Sequence, residues 1–288
     1  MSTLQELIDF TNCKEEINEY KGSEKKKTLI FNNQKYLVKF PDPLRQKNKN
    51  ISYINNAFSE YIGSHIFEII GFKTQKTILG KYMINEKEKI VCACEDFTTD
   101  TQILYEFENF TNSTMVEKKV DTEIDDILNV IKENKNIINV QDTIENFWRM
   151  FIVDSLIGNT DRHNGNWGFI KDKISGKVSF SPIFDCGSCL NPLLEDSDLE
   201  KIDETELKNL ALNCYSCLKE NGKKINYFTY ISSMKNGDCN SALKFVLEKI
   251  DMSKINDMID EITCISDIRK KFYKNILNKR FEILEKRN

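Results

Sequence analysis

The chain has 288 residues, of which 40% are hydrophobic and 30% charged, and its formal net charge is −4. Such a composition is typical of a globular protein whose core fills one bilobal domain or two small ones. The acidic balance disfavours nucleic acid as a direct partner, and we expect no membrane span. Nine cysteines, an odd number, favour reduced thiols over a disulfide framework. We therefore expect a cytoplasmic protein without a signal peptide, the alternative being an exported or translocated effector.

The N-terminal segment predicts a helix followed by a β-hairpin. Residues 3–20 carry a partial apolar face and are predicted to be helical. Two apolar runs at 28–31 and 36–40 flank an Asn-Asn turn, which predicts a hairpin whose second strand contains Lys39. A lysine on an apolar strand can hold nucleotide phosphates, and it can also protect a sheet edge against aggregation.

A second helix and further strands are predicted next. Apolar residues at helical spacing over 52–70, ending before a glycine, predict a helix that carries Glu60. Such a glutamate would be the acid that positions Lys39, with Glu68 as the alternative. Residues 73–97 predict strands, whereas the polar residues 98–122 predict irregular or lid-like structure.

A polar loop between two apolar elements carries the most informative pattern. Residues 144–157 predict an apolar helix, the loop after it presents Asp161, His163 and Asn166, and a short hairpin then leads to Asp185. Phosphoryl transfer requires a carboxylate that orients and deprotonates the acceptor hydroxyl, together with amide and carboxylate oxygens that hold a metal ion on the nucleotide phosphates. The alternative is a surface turn, which leaves the flanking apolar elements unexplained.

These residues resemble a known family. The pattern Leu156-Ile157-Gly158-Asn159-Thr160-Asp161-x-His163-x-x-Asn166, followed by Pro182-Ile183-Phe184-Asp185-x-Gly187-Ser188, resembles the HipA-like atypical serine/threonine kinases. The Asp-Arg-His portion is also similar to the catalytic loop of phosphoinositide kinases. The resemblance implies an α+β, bilobal protein-kinase-like fold with a small antiparallel-sheet lobe at 1–97. A larger, mostly helical lobe would occupy 98–288.

The resemblance also implies the nucleotide contacts of the smaller lobe. A loop containing Gly22, Ser23 and Lys25 would cover the phosphates of ATP, although a lysine run is by itself most often a solvated surface. Glu95 and Phe97 would form the hinge that meets the adenine. Ser23 is a candidate autophosphorylation site, because a modified loop would block nucleotide binding.

The catalytic assignments follow from the motif and the resemblance together. Asp161 would accept the proton of a Ser or Thr hydroxyl, and Asn166 and Asp185 would bind Mg²⁺. His163 belongs to the same loop and is expected to be a structural hydrogen-bonding residue rather than the base. Two rival functions remain open at this stage: a phosphoinositide kinase, and a non-catalytic module that binds a nucleotide or a partner.

The remaining patterns concern the C-terminal half of the chain. Helices are predicted at 203–221, 240–250, 253–262 and 265–285, and the Ser and Thr residues of 188–204 suggest an activation or substrate segment. The pairs Cys186–Cys189 and Cys214–Cys217 have the spacing of a structural zinc site, but the second pair falls inside a predicted helix. The expected partner is a protein substrate. Because the chain begins almost at the phosphate loop, a small antitoxin-like chain, or one that supplies a missing N-terminal subdomain, is also considered.

Overall fold

The computed structural model describes residues 7–17, 26–41, 55–109 and 122–287, and it has an α+β architecture. Its first part is a six-stranded sheet in the order β1-β5-β6-β4-β3-β2, in which β1 is parallel to β5 and the other pairs are antiparallel. The strands are β1 (Ile8–Asp9), β2 (Lys14–Glu16), β3 (Lys26–Phe31), β4 (Gln34–Lys39), β5 (Thr77–Ile84) and β6 (Lys87–Glu95).

The two faces of this sheet bury different sets of apolar residues. Helix α1 (Asn56–Ile70) packs on one face, and its buried residues Ile62, Ile66 and Phe67 belong to the main core of the protein. The other face forms a separate small core around Phe10 and Val38. Because alternate side chains of a strand point to opposite faces, β4 contributes to both cores while presenting Lys39 at its end.

The rest of the chain surrounds one long helix. Its elements are α2 (Ile124–Glu133), α3 (Val140–Ile157), a three-stranded sheet of β7 (Gln102–Glu106), β8 (Gly168–Asp172) and β9 (Val178–Phe180), α4 (Asp196–Leu199), α5 (Glu204–Leu212), the hairpin β10 (Tyr215–Glu220) and β11 (Lys223–Asn226), α6 (Tyr227–Ser232), α7 (Gly237–Lys249), α8 (Met252–Glu261) and α9 (Asp267–Glu285). Helix α3 is buried over most of its length, and its fully buried Trp148 packs against Phe151 and Tyr230.

The predicted helix over 3–20 is wrong in the part that the structure describes. Residues 8–9 and 14–16 are strands, and Ile8 pairs with Gly80 on β5. A Cβ atom at Gly80 would lie only 2.5 Å from the Ile8 carbonyl oxygen, so this glycine makes the close approach of β1 possible. Between the two strands, Asp9 accepts a hydrogen bond from the Thr11 N–H, a local bond that competes with a helix.

Two other predicted segments need correction. The predicted helix 203–221 ends at Leu212, and the chain then forms β10, which turns back into β11 at Asn221-Gly222 with positive φ at both residues. Asn-Gly is a strong hairpin signal that outweighs the helical spacing before it. The segment 98–122 contains strand β7, which pairs with β8. The hairpin β3–β4, helix α1, strands β5 and β6, and the three C-terminal helices confirm their predictions.

The segment after Asp185 is tied to the start of α1 and to α9. The Asn55 amide donates to the carbonyls of Pro192 and Leu194 at 3.2 and 3.0 Å. From α9, the Arg269 guanidinium donates to the Leu194 carbonyl at 2.9 Å and to the Asp196 carboxylate at 2.5 Å. Among the helices of the described residues, none has the length and hydropathy that a membrane span requires.

Candidate active site

A buried lysine connects three elements of the fold. Lys39, at the end of β4, places its Nζ 2.7 Å from Glu60 Oε2 and 2.7 Å from Asp185 Oδ1. Glu60 lies on α1 and is fully buried, and its other carboxylate oxygen accepts the Cys186 N–H at 3.0 Å. The sheet, α1 and the loop that carries Asp185 are therefore joined at one ammonium group. The alternative glutamate, Glu68, has no ion pair with Lys39 in the described chain.

The loop that carries Asp161 is built directly on the end of α3. The helix ends at Gly158, whose φ of +69° forms a left-handed cap, and a Cβ atom there would lie 2.2 Å from Nη1 of the buried Arg280. The left-handed backbone therefore favours glycine, and a larger side chain would also have to displace the Arg280 guanidinium. The Asn166 amide donates to the Asp161 carbonyl at 2.8 Å, which holds the two ends of the loop together.

The carboxyl group of Asp161 has a raised pKa. Burial raises its pKa, the nearby Asp185 raises it further, and His163 acts in the opposite direction. The Cys217 thiol also contacts this loop, with its Sγ 3.2 Å from the Thr160 carbonyl oxygen and 3.8 Å from Asp161 Oδ1. A raised pKa makes a carboxylate a stronger base, as general base catalysis requires.

An ion pair that was not predicted joins this loop to α3. Arg162 donates to the Asp154 carboxylate through Nε at 3.0 Å and through Nη2 at 3.1 Å. Both side chains are buried, and despite that burial the Asp154 carboxylate keeps the pKa of Arg162 well above its ordinary value. The same guanidinium donates to the carbonyls of Phe184, of Asn166 at 2.7 Å and of Asp185 at 3.2 Å. Arg162 thus ties the loop of Asp161 to the loop of Asp185.

Asp185 adopts an unusual backbone conformation. Its φ is +58°, in the left-handed region that Asp tolerates better than most residues. Although burial acts in the opposite direction, Lys39 and Arg162 hold the pKa of its carboxyl group below its ordinary value. The Asp185 carboxylate is therefore ionised at neutral pH, with about a third of its side chain exposed (36%).

The remaining predicted residues differ in their placement. His163 Nδ1 accepts the Gly165 N–H at 3.0 Å, a bond internal to the loop. The backbone of Glu95 is already engaged, since its N–H donates to the Lys76 carbonyl and its carbonyl accepts from the Gln75 amide at 3.0 Å. The Phe97 ring lies 6.2 Å from that of Phe184, beside Asp185. The predicted phosphate-loop residues Gly22, Ser23 and Lys25 lie outside the described residues.

Within the part of the chain that the structure describes, the cysteine pairs do not come together as a metal site. All nine cysteines are described and all are free thiols, and the described residues contain no group of three or more His, Cys, Asp or Glu side chains that could hold a metal ion. The helix that was predicted to contain Cys214 and Cys217 ends before them, and Cys217 lies on β10. Cys186 and Cys189 pack against α1, where the Ser59 hydroxyl donates to the Cys189 carbonyl at 2.7 Å.

Comparison with solved structures defines the class of the protein. Over 98% of both chains it matches the crystal structure of the Helicobacter pylori proinflammatory kinase CtkA, with a TM-score of 0.85 and 37% identity. The predicted α+β, bilobal, protein-kinase-like fold is confirmed. A complex of Shewanella oneidensis HipA with HipB and operator DNA aligns over 91% of this chain and 63% of that one, at 11% identity and a TM-score of 0.47.

Sequence comparison defines the family. A model of the HipA-like C-terminal domain matches residues 20–263. The serine/threonine-protein kinase CtkA of Helicobacter pylori strain J99 is 42% identical over 285 residues, which cover 95% of this chain and 85% of the relative. The chain belongs to the HipA-like C-terminal domain family, and within it is a serine/threonine-protein kinase, as the sequence motif predicted.

Proposed function

We propose that the chain transfers the γ-phosphoryl group of ATP to a serine or threonine hydroxyl of a protein substrate. The observation that carries this proposal is the Lys39 ammonium, which contacts both Glu60 and Asp185 at 2.7 Å. In protein kinases a strand lysine paired with a helix glutamate holds the nucleotide phosphates, while the metal aspartate lies beside them. Glu60 would keep Lys39 in place, and Lys39 would bind the α- and β-phosphates.

Asp161 would act on the acceptor hydroxyl. Its carboxylate would orient the hydroxyl and accept its proton, which the raised pKa of this group favours. Arg162 would fix the distance between Asp161 and Asp185, because it contacts the backbone on both sides of the site. His163 would support the loop through its bond to Gly165.

The oxygen atoms at the site fit a magnesium ion. The Asn166 amide nitrogen donates to the Asp161 carbonyl, and its Oδ1 has no hydrogen-bond partner in the described part of the chain. With the ionised Asp185 this makes two hard oxygen donors, the type that Mg²⁺ takes from proteins when phosphates and water complete its shell. Asn166 and Asp185 would hold the ion, which when bound neutralises phosphate charge.

Further assignments belong to the same proposal. The smaller lobe would end at residue 97 and the larger lobe would begin at 98. Register supports a phosphate loop at Gly22, Ser23 and Lys25, because Lys26, which follows it, pairs with Lys39. Phe97 would line the adenine site beside Phe184, whereas Glu95 would act through its side chain, since its backbone is bonded to neighbours.

Partners and compartment are also proposed. The nine free thiols support a reducing compartment such as the cytoplasm, and the net charge of −4 supports a protein substrate rather than nucleic acid. An antitoxin-like partner stays a prediction, which co-purification with the natively expressed chain would test.

Incubation with radiolabelled ATP and Mg²⁺ tests the proposal, with Asp161→Ala and Asp185→Asn as comparison variants. Label in the wild type that disappears in both variants is expected, and mass spectrometry of proteolytic peptides would locate one added phosphate on Ser23. Label that persists in Asp161→Ala would contradict the assigned base. Transfer to phosphoinositide vesicles but not to protein would favour a lipid kinase. Nucleotide binding without any transfer would favour a non-catalytic module.

A further inference from the structure

A groove of about 380 Å³ lies between α5 and the last two turns of α9, and it shares no residue with the candidate active site. From Lys279 on α9 to Arg287 just beyond its end, the lining residues are spaced as one helical face, and on α5 they are one turn apart. We call it the basic groove, and its lining residues are Lys208, Leu212, Lys279, Glu282, Ile283, Lys286 and Arg287.

The groove concentrates positive charge on an acidic protein. Four of its lining residues are cationic and one is acidic, whereas the whole chain carries a net charge of −4. Lys279 is partly balanced by Glu204 at 3.9 Å and by Glu282 at 3.7 Å. Lys208, Lys286 and Arg287 are exposed and form no ion pair with the residues that the structure describes. An occupant with several carboxylates would complete this charge distribution.

The groove also has an apolar floor. Leu212 and Ile283 are only half-buried although they sit between two packed helices, so each leaves part of its side chain uncovered. A concave surface with an apolar floor and a cationic rim fits a peptide segment that inserts one apolar side chain between acidic ones. A flat anionic membrane would meet the rim but would not fill the floor.

Chain connectivity limits the distance between the groove and the loop of Asp161. Leu212 is five residues before Cys217, whose thiol contacts the Thr160 carbonyl. Five residues span at most roughly 18 Å of extended chain. A bound segment in the groove is therefore close enough for an acceptor hydroxyl about six or more residues away in sequence to reach Asp161.

We propose that the basic groove is a docking site for an acidic, leucine-containing segment of the protein substrate. The proposal rests on the protein kinase function described above, because it names the feature by which that enzyme would select its substrate. Docking away from the reacting groups would lower KM for substrates that carry the segment and leave kcat unchanged.

A binding experiment without nucleotide tests the groove separately from catalysis. The probe is a fluorescein-labelled peptide of alternating Asp-Glu pairs and Leu, without Ser, Thr or Tyr, and fluorescence anisotropy reports its Kd. The groove variant is Lys208→Glu with Lys286→Glu. Its matched control is Lys244→Glu with Lys132→Glu, which likewise changes one exposed mid-helix lysine and one lysine near a helix C-terminus.

The groove variant is expected to weaken peptide binding at least about tenfold, since two exposed ion pairs become repulsive, while the control stays within about twofold. The peptide should also inhibit phosphorylation of a protein substrate competitively. Wild-type binding by the groove variant would overturn the proposal, as would binding of an Asn-Gln version of the peptide. The proposal would also be overturned if the groove variant kept peptide binding but no longer sedimented with phosphatidylserine vesicles, or no longer formed a dimer. Peptide binding without phosphoryl transfer would reject the kinase reaction and leave the groove standing.

Discussion

The buried ion pair of Arg162 and Asp154 allows stability and activity to be perturbed separately. Both side chains are almost fully buried, with exposed fractions of 3% and 1%. Asp154→Leu leaves the guanidinium charge without its partner in a site that excludes water. Removing one member of a buried pair costs roughly 3–5 kcal/mol of the free energy of unfolding. For 288 residues, an unfolding entropy of about 2.1 cal/mol/K per residue converts this loss into a fall in Tm of ~5–8 °C.

Scanning calorimetry measures this fall, and the same helix supplies a control. Arg149 and Glu145 form an i,i+4 pair at 2.7 Å on the surface of α3. Glu145→Gln should lower Tm by under about 1 °C, because exposed pairs contribute roughly 0.3–0.5 kcal/mol. A fall of less than about 2 °C for Asp154→Leu would refute the reasoning that the buried pair is essential to the core.

A double variant then separates the two roles of Arg162. Asp154→Leu with Arg162→Met removes both charges, and replacing a buried pair by apolar residues is often nearly neutral, so Tm should return to within about 3 °C of the wild type. Phosphoryl transfer should be lost in this double variant, because the carbonyls of Asn166 and Asp185 no longer share a donor. Wild-type turnover in the double variant would show that Arg162 only fills space.

Three further outcomes follow from the structure. Glu60→Gln keeps an acceptor for the backbone N–H it binds but loses the charge that holds Lys39, so kcat/KM for ATP should fall about 100-fold. Tm should change little, because Lys39 keeps its ion pair with Asp185; a fall in kcat/KM below about threefold would argue against the pairing. Ser266 and Arg269 lower the pKa of Asp196, although burial acts in the opposite direction. The Asp196 carboxylate therefore stabilises the fold above its unfolded pKa of about 3.9, and this stabilisation is lost as pH falls through the folded pKa. Asp196→Asn should therefore lower Tm at pH 7 but not at pH 2, and an equal effect at both would contradict this sign. Gly63→Ala should lower Tm despite the higher helix propensity of Ala, because its Cβ would lie 2.7 Å from the Cys186 Cβ; an unchanged or higher Tm would show that the loop relaxes freely.

The parts of the fold that could be predicted from sequence are those with strong local signals. The hairpin at Asn32-Asn33, helix α1 ending at Gly71 and helix α3 ending at Gly158 have both periodicity and a stop residue. The segment around Ile8 has helical spacing but forms a strand, because its pairing partner lies on β5, about 70 residues away. Single-segment periodicity carries no information about such a partner.

The site shows the same division between local and long-range information. The residue types and spacing of the loop identified Asp161, Asn166 and Asp185 as candidates, but the ion pair between Arg162 and Asp154 was not predicted. Asp154 interrupts a largely apolar run of α3 and is buried. In proteins a carboxylate is almost never fully buried unless it is paired. That anomaly was visible in the sequence, although its partner, Arg162, is fixed only by the fold.

The anchoring of the segment after Asp185 has a consequence for how this enzyme is controlled. In many kinases this stretch becomes ordered only when a phosphate is added and pairs with arginine. Here the Asp196 carboxylate accepts a hydrogen bond from the Arg269 guanidinium. The Asn55 amide donates to the carbonyls of Pro192 and Leu194, which precede Asp196. These contacts hold the segment in place without an added phosphate.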